Sequence, residues 1–258
     1  MAVNARPDKG RLLLVPTPLD FACQEQAPVH QVLPEATLAA AAGLRHWVCE
    51  NAKTTRAFLK RVSESHPLIA PLAEQQITEL PRLVHKKGDH LSGFDGKSML
   101  SAALQGHDIG LISEAGMPAV ADPGSSVVRA AHDLGLLVLP LVGPVSLLLA
   151  LAASGLNGQS FAFVGYLPQD AAQRTTRLKQ LESLALKTGQ TQLWIETPYR
   201  NAAMLAGLLQ GLQANTRLAI ASGLTLPSAS IQSHTIAQWK KGLKGPDGHT
   251  PAVYAIGP

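Results

Sequence analysis

Residues 134–169, between Asp133 and Asp170, contain no Asp, Glu, Lys or Arg, and any fold of this chain has to bury or span that stretch. Within it, Leu134 to Leu156 is long enough on paper to cross a bilayer, for which about 20 apolar residues suffice. Pro140 and the Gly143-Pro144 pair interrupt it. What remains is a short apolar run, Leu136 to Leu141, then a turn, then a second run from Val145 to Ala153 that starts like a helix with proline at its first position. The first piece reads as a strand buried on both faces and the second as a helix packed in a core. No membrane span is therefore expected.

Composition points the same way. Charged residues are 16% of the 258 and hydrophobic residues 46%, against roughly 25% charged in ordinary soluble proteins. Intrinsic disorder is excluded, because a disordered chain needs the opposite balance. The amino-terminal MAVNARPDKGR has no apolar region followed by a small-residue cleavage site, which argues against a secretory signal. Cys23 and Cys49 are the only cysteines, too few for a disulfide framework or a cysteine-rich zinc site. The nine histidines form no HExxH or paired-ligand spacing. A cytoplasmic protein without a metal is expected.

Glycine and proline divide the chain into short apolar runs alternating with amphipathic segments, the pattern of an α/β protein with mostly parallel sheet. Strands are expected at Arg11 to Val15, His46 to Glu50, Asp108 to Ser113, Phe161 to Tyr166, Gln192 to Glu196 and Leu218 to Ser222. Helices are expected at Pro34 to Leu44, Lys53 to Ser63, Ser98 to Gln105, Ser125 to Leu134 (capped by Asp122), Ala171 to Leu186 and Arg200 to Leu212. Residues 64 to 91 carry Pro67, Pro71 and Pro81 and give no clear element. Ser228 to Thr235 and Pro251 to Ile256 alternate like closing strands of a mixed sheet. Two α/β domains follow, 11–156 and 157–258, meeting at Gly155-Leu-Asn-Gly158.

The segment Ile109-Gly-Leu-Ile-Ser-Glu-Ala-Gly-Met-Pro-Ala-Val-Ala-Asp-Pro-Gly124 runs from a buried strand through a stiff loop into a helix. In open α/β sheets, ligands bind outside the carboxyl ends of strands. The loop holds no Lys or Arg, and neither GxGxxG nor GxxxxGK[ST] occurs anywhere, so a standard nucleotide phosphate site is not supported. Three more strand ends carry similar loops: Pro16-Thr17-Pro18, Leu139-Pro-Leu-Val-Gly-Pro-Val-Ser146 and Trp194-Ile-Glu-Thr-Pro-Tyr-Arg200. Four stiff, nearly uncharged loops are positioned to line one cleft.

The series TP, SEAGMPAVADPG, LPLVGPVS, GYLP before a basic helix, and IETPYR resembles the tetrapyrrole methylase superfamily, whose members use S-adenosylmethionine. Within it the pattern is closest to the ribosomal RNA small-subunit methyltransferase I family, which methylates a cytidine 2'-hydroxyl in 16S RNA. The match runs from about Leu12 to Thr225. The resemblance implies two α/β domains, a homodimer, and the methyl donor held in the interdomain cleft by backbone groups. Carried over by motif, the donor contacts are Pro16 and Thr17, then Ser113, Glu114, Ala115 and Gly116, with Val120 beneath. Gly143, Val145 and Ser146 follow from the Gly-Pro turn, then Glu196, Leu224 and Thr225. Val120 and Val145 also fit plain core.

Departures cluster where the family handles its acceptor. Its TPIGN is Thr17-Pro-Leu-Asp-Phe21 here. Its EDTR is Glu50-Asn-Ala-Lys53, which loses a carboxylate and exchanges Arg for Lys. A His-Asn-Glu motif is not recognisable near residues 75 to 90, although His85 and His90 are nearby, and the charged RELTK segment has become Ala221-Ser-Gly-Leu-Thr-Leu-Pro227. An alcohol acceptor needs a positioned base. Glu50 is the candidate, with Lys53 one turn on as an acceptor or phosphate contact; a solvated helix-start pair is the plain alternative. Ribosomal RNA or the small ribosomal subunit is the expected partner. Lys53, Arg56, Lys60 and Arg61 on one helix, and Arg174, Arg177 and Lys179 on another, are candidate phosphate contacts. Methylation of a small molecule, or a donor-binding sensor without catalysis, are the alternatives.

Overall fold

A computed structural model describes residues 9–20, 23–87, 89 and 93–258, apart from the side chains of 85–87. Phe21, His90 and the His85 side chain, named above in the departing motifs, lie outside the described residues. The chain divides into two compact units, 27–144 with the residues before 21, and 145–258 with 23–26. The division falls before Val145, earlier than the expected 156/157, because the helix Ser146–Ser154 packs on the second unit's sheet.

In the first unit, β1 (Leu12–Val15), β2 (His46–Cys49), β3 (Gln76–Glu79), β4 (Ile109–Ile112) and β5 (Val138–Pro140) form one sheet in the order β3-β2-β4-β1-β5. Every pairing in it is parallel. Successive side chains of a strand point to opposite faces, and here both faces are covered. Leu13, Val15, Trp47, Cys49 and Ile112 pack in one core with Leu38, Phe58, Leu59 and Val62. Leu12, Val48, Ile109 and Leu111 pack in another with Leu100, Val127 and Ala131. Two-sided burial is why the central strands read as unbroken apolar runs rather than alternating ones. In the helix Ala52–Ser63 the buried positions Thr55, Phe58, Leu59 and Val62 follow helical spacing and face that first core.

Several local expectations need correction. β5 is not buried on both faces: it is an edge strand paired only with β1, Leu137 beside it is 55% exposed, and Pro140 sits where no ladder donor is needed. β3 went unrecognised, because its residues are mostly exposed at the other edge and follow three prolines. Asp122 does not cap the helix Ser125–Asp133. Asp89 does so from a distance, its carboxylate accepting from Gly124 N at 2.9 Å, Ser126 N at 2.6 Å and the Ser125 and Ser126 hydroxyls. Burial pushes Asp89 up, but those donors outweigh it and hold its pKa below the ordinary value. Finally, Pro144 precedes the N-cap, Val145, rather than opening the helix Ser146–Ser154.

In the second unit, β6 (Phe161–Phe163), β7 (Thr191–Glu196), β8 (Arg217–Ser222), β9 (Ser230–Thr235) and β10 (Ala252–Gly257) form a mixed sheet in the order β6-β7-β10-β8-β9. β6 and β7 are parallel, and the remaining pairs are antiparallel. Trp194 and Tyr254 stack across β7 and β10 at 5.7 Å, in a core with Leu178, Leu208 and Trp239. The Tyr254 hydroxyl donates to Asn201 Oδ1 at 3.1 Å, while Asn201 Nδ2 donates to the Asp247 and Thr250 carbonyls. Among the described residues no helix is long and apolar enough to cross a membrane.

Candidate functional site

Three loops leave the carboxyl ends of β1, β4 and β5 and converge. Thr17 and Gly116 form an isolated antiparallel bridge, Thr17 N donating to Gly116 O at 3.0 Å and Gly116 N to Thr17 O at 3.1 Å. Gly116 has φ +73°, and a Cβ there would meet Leu19 Cδ2 at 3.0 Å. The third loop closes on the first, since a Cβ on Gly143 would overlap the Pro16 ring. Glycine at 116 and 143 is thus required by backbone approach and conformation. The sequence-predicted Pro16, Thr17, Ser113, Glu114, Ala115, Gly116 and Gly143 are brought together in the first unit.

The 113–124 loop is strained beyond its glycines. Ala119 and Ala121 have φ +63° and +66°, a region costly for residues with a Cβ. Such outliers persist only where surrounding structure enforces them. Asp122, which follows Ala121, lies within reach of the Ser113 hydroxyl. The Ser113 hydroxyl itself donates to the Ala115 carbonyl at 3.4 Å. Val120 is 40% exposed, which removes the plain-core explanation for it.

Glu50 follows β2 and comes beside this loop. Its Oε1 is buried with no hydrogen-bond partner among the described residues. Burial first, then the Asp122 and Glu114 carboxylates, push its pKa up to about 8, against a smaller opposing contribution from the Glu114 N–H. Asp122 is pushed to about 6 by burial and Glu114, with the Ser113 hydroxyl opposing. Three carboxylates therefore share one end of the sheet, and the solvated reading of Glu50 is overturned. Asp122 carried no signal of this in the sequence beyond its place in an ADPG string.

Lys53 is not brought to Glu50. It sits exposed in the first turn of the helix Ala52–Ser63, where Asn51 caps by accepting from Lys53 N at 2.9 Å and Thr54 N at 3.4 Å. Arg61 is not free for a phosphate either: it forms a two-pronged pair with Asp20, at 3.0 and 2.7 Å, and donates to the Ala27 carbonyl. The pair pins the loop after β1, the one departing from TPIGN.

In the second unit, Glu196 is 2% exposed at the end of β7. Its Oε1 accepts from Thr197 N at 2.8 Å, and its Oε2 lies 3.1 Å from Arg200 Nη2 as an ion pair. Arg200 reaches the Leu167 and Pro168 carbonyls at 3.4 and 3.3 Å, so GYLP and IETPYR are one assembly. Leu224 is buried, and Thr225 has φ +71° with its hydroxyl oxygen buried and without a partner among the described residues. Val145 and Ser146 are half-buried at the start of their helix. Among the described residues no group of His, Cys, Asp or Glu is arranged to hold a metal ion.

No family model matches the chain. Individual relatives do. It is 30% identical to ribosomal RNA small subunit methyltransferase I of Mesorhizobium japonicum over 91% of this chain and 70% of the relative. It is 29% identical to that of Pseudomonas aeruginosa over 89% and 71%, and 29% identical to that of Bacillus subtilis over 92% and 72%. Among solved structures, the methyltransferase CobJ superposes with TM-score 0.53 at 17% identity, covering 96% of this chain and 94% of that one. Uroporphyrin-III-C-methyltransferase from Thermus thermophilus gives 0.50 at 18% over 96% and 94%. These structures establish the fold, two sheets of tetrapyrrole-methylase type, one parallel and one mixed. The sequence relatives establish the rest: this chain is a methyltransferase and belongs to the ribosomal RNA small subunit methyltransferase I family.

Proposed function

We propose that this protein transfers a methyl group from S-adenosylmethionine to ribosomal RNA, at a cytidine 2'-hydroxyl of the small-subunit RNA, as a cytoplasmic homodimer. The observation that carries the reading is the junction of the Pro16-Thr17, Ser113–Gly116 and Gly143 loops beside the unpartnered Glu50 oxygen. The residues fit that donor: its sulfonium and ammonium charges suit carboxylates, and its close approach to backbone suits Gly116 and Gly143. When bound, S-adenosylmethionine supplies an electrophilic methyl group for in-line displacement.

The chain's own residues then do three things. Pro16, Thr17, Ser113, Glu114, Ala115, Gly116, Val120 and Gly143 hold the donor in place, which is most of the help a displacement needs. Val145, Ser146, Glu196, Leu224 and Thr225 are assigned to it by their motifs. Glu50 takes the acceptor's proton at its carboxylate, and a pKa of about 8 suits a base working near neutrality. Lys53, Arg56 and Lys60 remain exposed for acceptor phosphates. Transfer of tritiated methyl to ribosomal RNA, to 30S subunits and to a small-molecule extract tests the reading. Label in RNA or 30S is expected; label only in small molecules, or none despite donor binding, would overturn it.

A further inference from the structure

The opposite end of the first unit's sheet holds a depression of about 910 Å³, formed where β1, β2, β3 and β4 begin. Its wall includes Lys9, Arg11, Arg45, His46, His107 and Asp108. Three cations face one carboxylate. Arg11 pairs with Asp108 through its Nε at 3.1 Å, its Nη2 at 2.5 Å and its backbone N–H at 2.8 Å. The other two cations are less committed. Lys9 spends one donor on the Leu134 carbonyl at 2.9 Å, and Arg45 meets Glu74 only at 3.4 Å. The His46 and His107 rings stack at 5.0 Å.

The arrangement is enforced by the backbone. Gly10 N donates to the Ala103 carbonyl at 2.7 Å, and a Cβ on Gly10 would overlap the His107 carbonyl. Only glycine lets the 9–11 segment press on 107–108, which is what sets Lys9 and Arg11 beside His107. His46 responds to the surroundings: burial first, then His107 and Arg45, hold its pKa below the ordinary value. Burial opposes a charge of either sign, but the contributions of His107 and Arg45 mark a positive potential, and that part favours an anion.

We propose that this depression is a second binding site, distinct from the loops at the carboxyl ends of the strands, and that it takes phosphate groups. Lys9 and Arg45 contribute charge, Arg11 the Nη1 donors that Asp108 leaves, and the stacked imidazoles ring N–H groups. The phosphate comes either from an RNA strand lying across the site or from a small phosphate compound. The site goes beyond the proposed methyl transfer and does not rest on it, since no donor-loop residue lines it.

The test follows the His46 and His107 ring protons by NMR in the full chain. Inorganic pyrophosphate, adenosine 5'-monophosphate and a 12-nucleotide single-stranded RNA are titrated in separate arms. Shifts in both rings with at least one probe are expected. Shifts with RNA, and a slope of log affinity against log salt shallower by about 0.7 for each cation removed in Lys9→Gln/Arg45→Gln, identify the strand backbone. Shifts confined to the small probes, weakened about fivefold or more in the same variant, identify a small ligand. Both substitutions are at exposed positions, and an unchanged thermal transition confirms the fold. Silence of both rings toward all three probes, or unaltered affinity and salt slope in the variant, would overturn the proposal.

Discussion

The two ends of the first unit's sheet are chemical opposites. Where strands finish, Glu50, Glu114 and Asp122 crowd together, and burial raises Glu50 and Asp122 toward neutrality. Where strands begin, Lys9, Arg11, Arg45 and two histidines line an open depression. An all-parallel sheet makes such separation possible, because each strand delivers its first residue to one end and its last to the other. In an antiparallel sheet the same strands would mix the two sets. Chemistry that needs a proton acceptor and chemistry that needs positive charge can therefore occupy one unit without neutralising each other.

The largest effect is expected at the acidic end. Glu50→Gln should lower transfer roughly 10²- to 10⁴-fold, the range of general-base catalysis, while donor binding by calorimetry persists. Stability gives an independent reading. A carboxyl raised in the fold from 4.5 to about 8 holds its proton more tightly than in the unfolded chain, so it contributes stability below pH 4.5 that is lost as pH rises toward 8. The variant should melt higher than the parent at pH 9 and show less advantage at pH 5, by roughly 2–4 °C per kcal/mol recovered. Equal melting shifts at both pH values would contradict a buried, proton-holding Glu50.

Next comes Gly143→Ala, whose methyl group would overlap Pro16. It should destabilise by on the order of 1–3 kcal/mol, as overpacking does, and weaken donor binding, read by thermal melting with and without S-adenosylmethionine. Asp122→Asn is subtler. Removing the larger of the two like-charge contributions should move the acid limb of the kcat/KM profile, near about 8, toward lower pH while leaving maximal activity within a few-fold. A fixed limb would mean that burial alone sets the Glu50 proton. The smallest effect belongs to the other end: Arg45→Gln should raise the NMR-titrated pKa of His46, because a lesser cause of its depression is gone while burial and His107 remain.

Much of this is legible in the sequence. Nine of the ten strands among the described residues show as apolar or alternating runs between Gly and Pro, and the converging loops as stiff, uncharged strand ends. What stayed hidden has a common physical origin. The Asp89 cap, the Asp20 to Arg61 pair and the basic depression each join residues far apart in the chain, so no local pattern carries them. β3 escaped because an exposed edge strand has no apolar run to show. β5 misled for the opposite reason: its neighbours are apolar, but an edge position leaves one flank of the strand unpaired. The Glu50, Glu114 and Asp122 cluster was half legible, since Glu50 stood out alone while its burial and two neighbours did not.

The strand orders also set a timetable for synthesis. All five strands of the first sheet are available once residue 140 has been made. In the second sheet, β7 and β8 are joined only through β10, so its centre is missing until residues 252–257 have emerged. Vectorial synthesis therefore delivers a unit able to fold early and one that waits with Trp194 and Leu218 uncovered. A translational pause or a chaperone acting on this protein would matter most between residues 222 and 257.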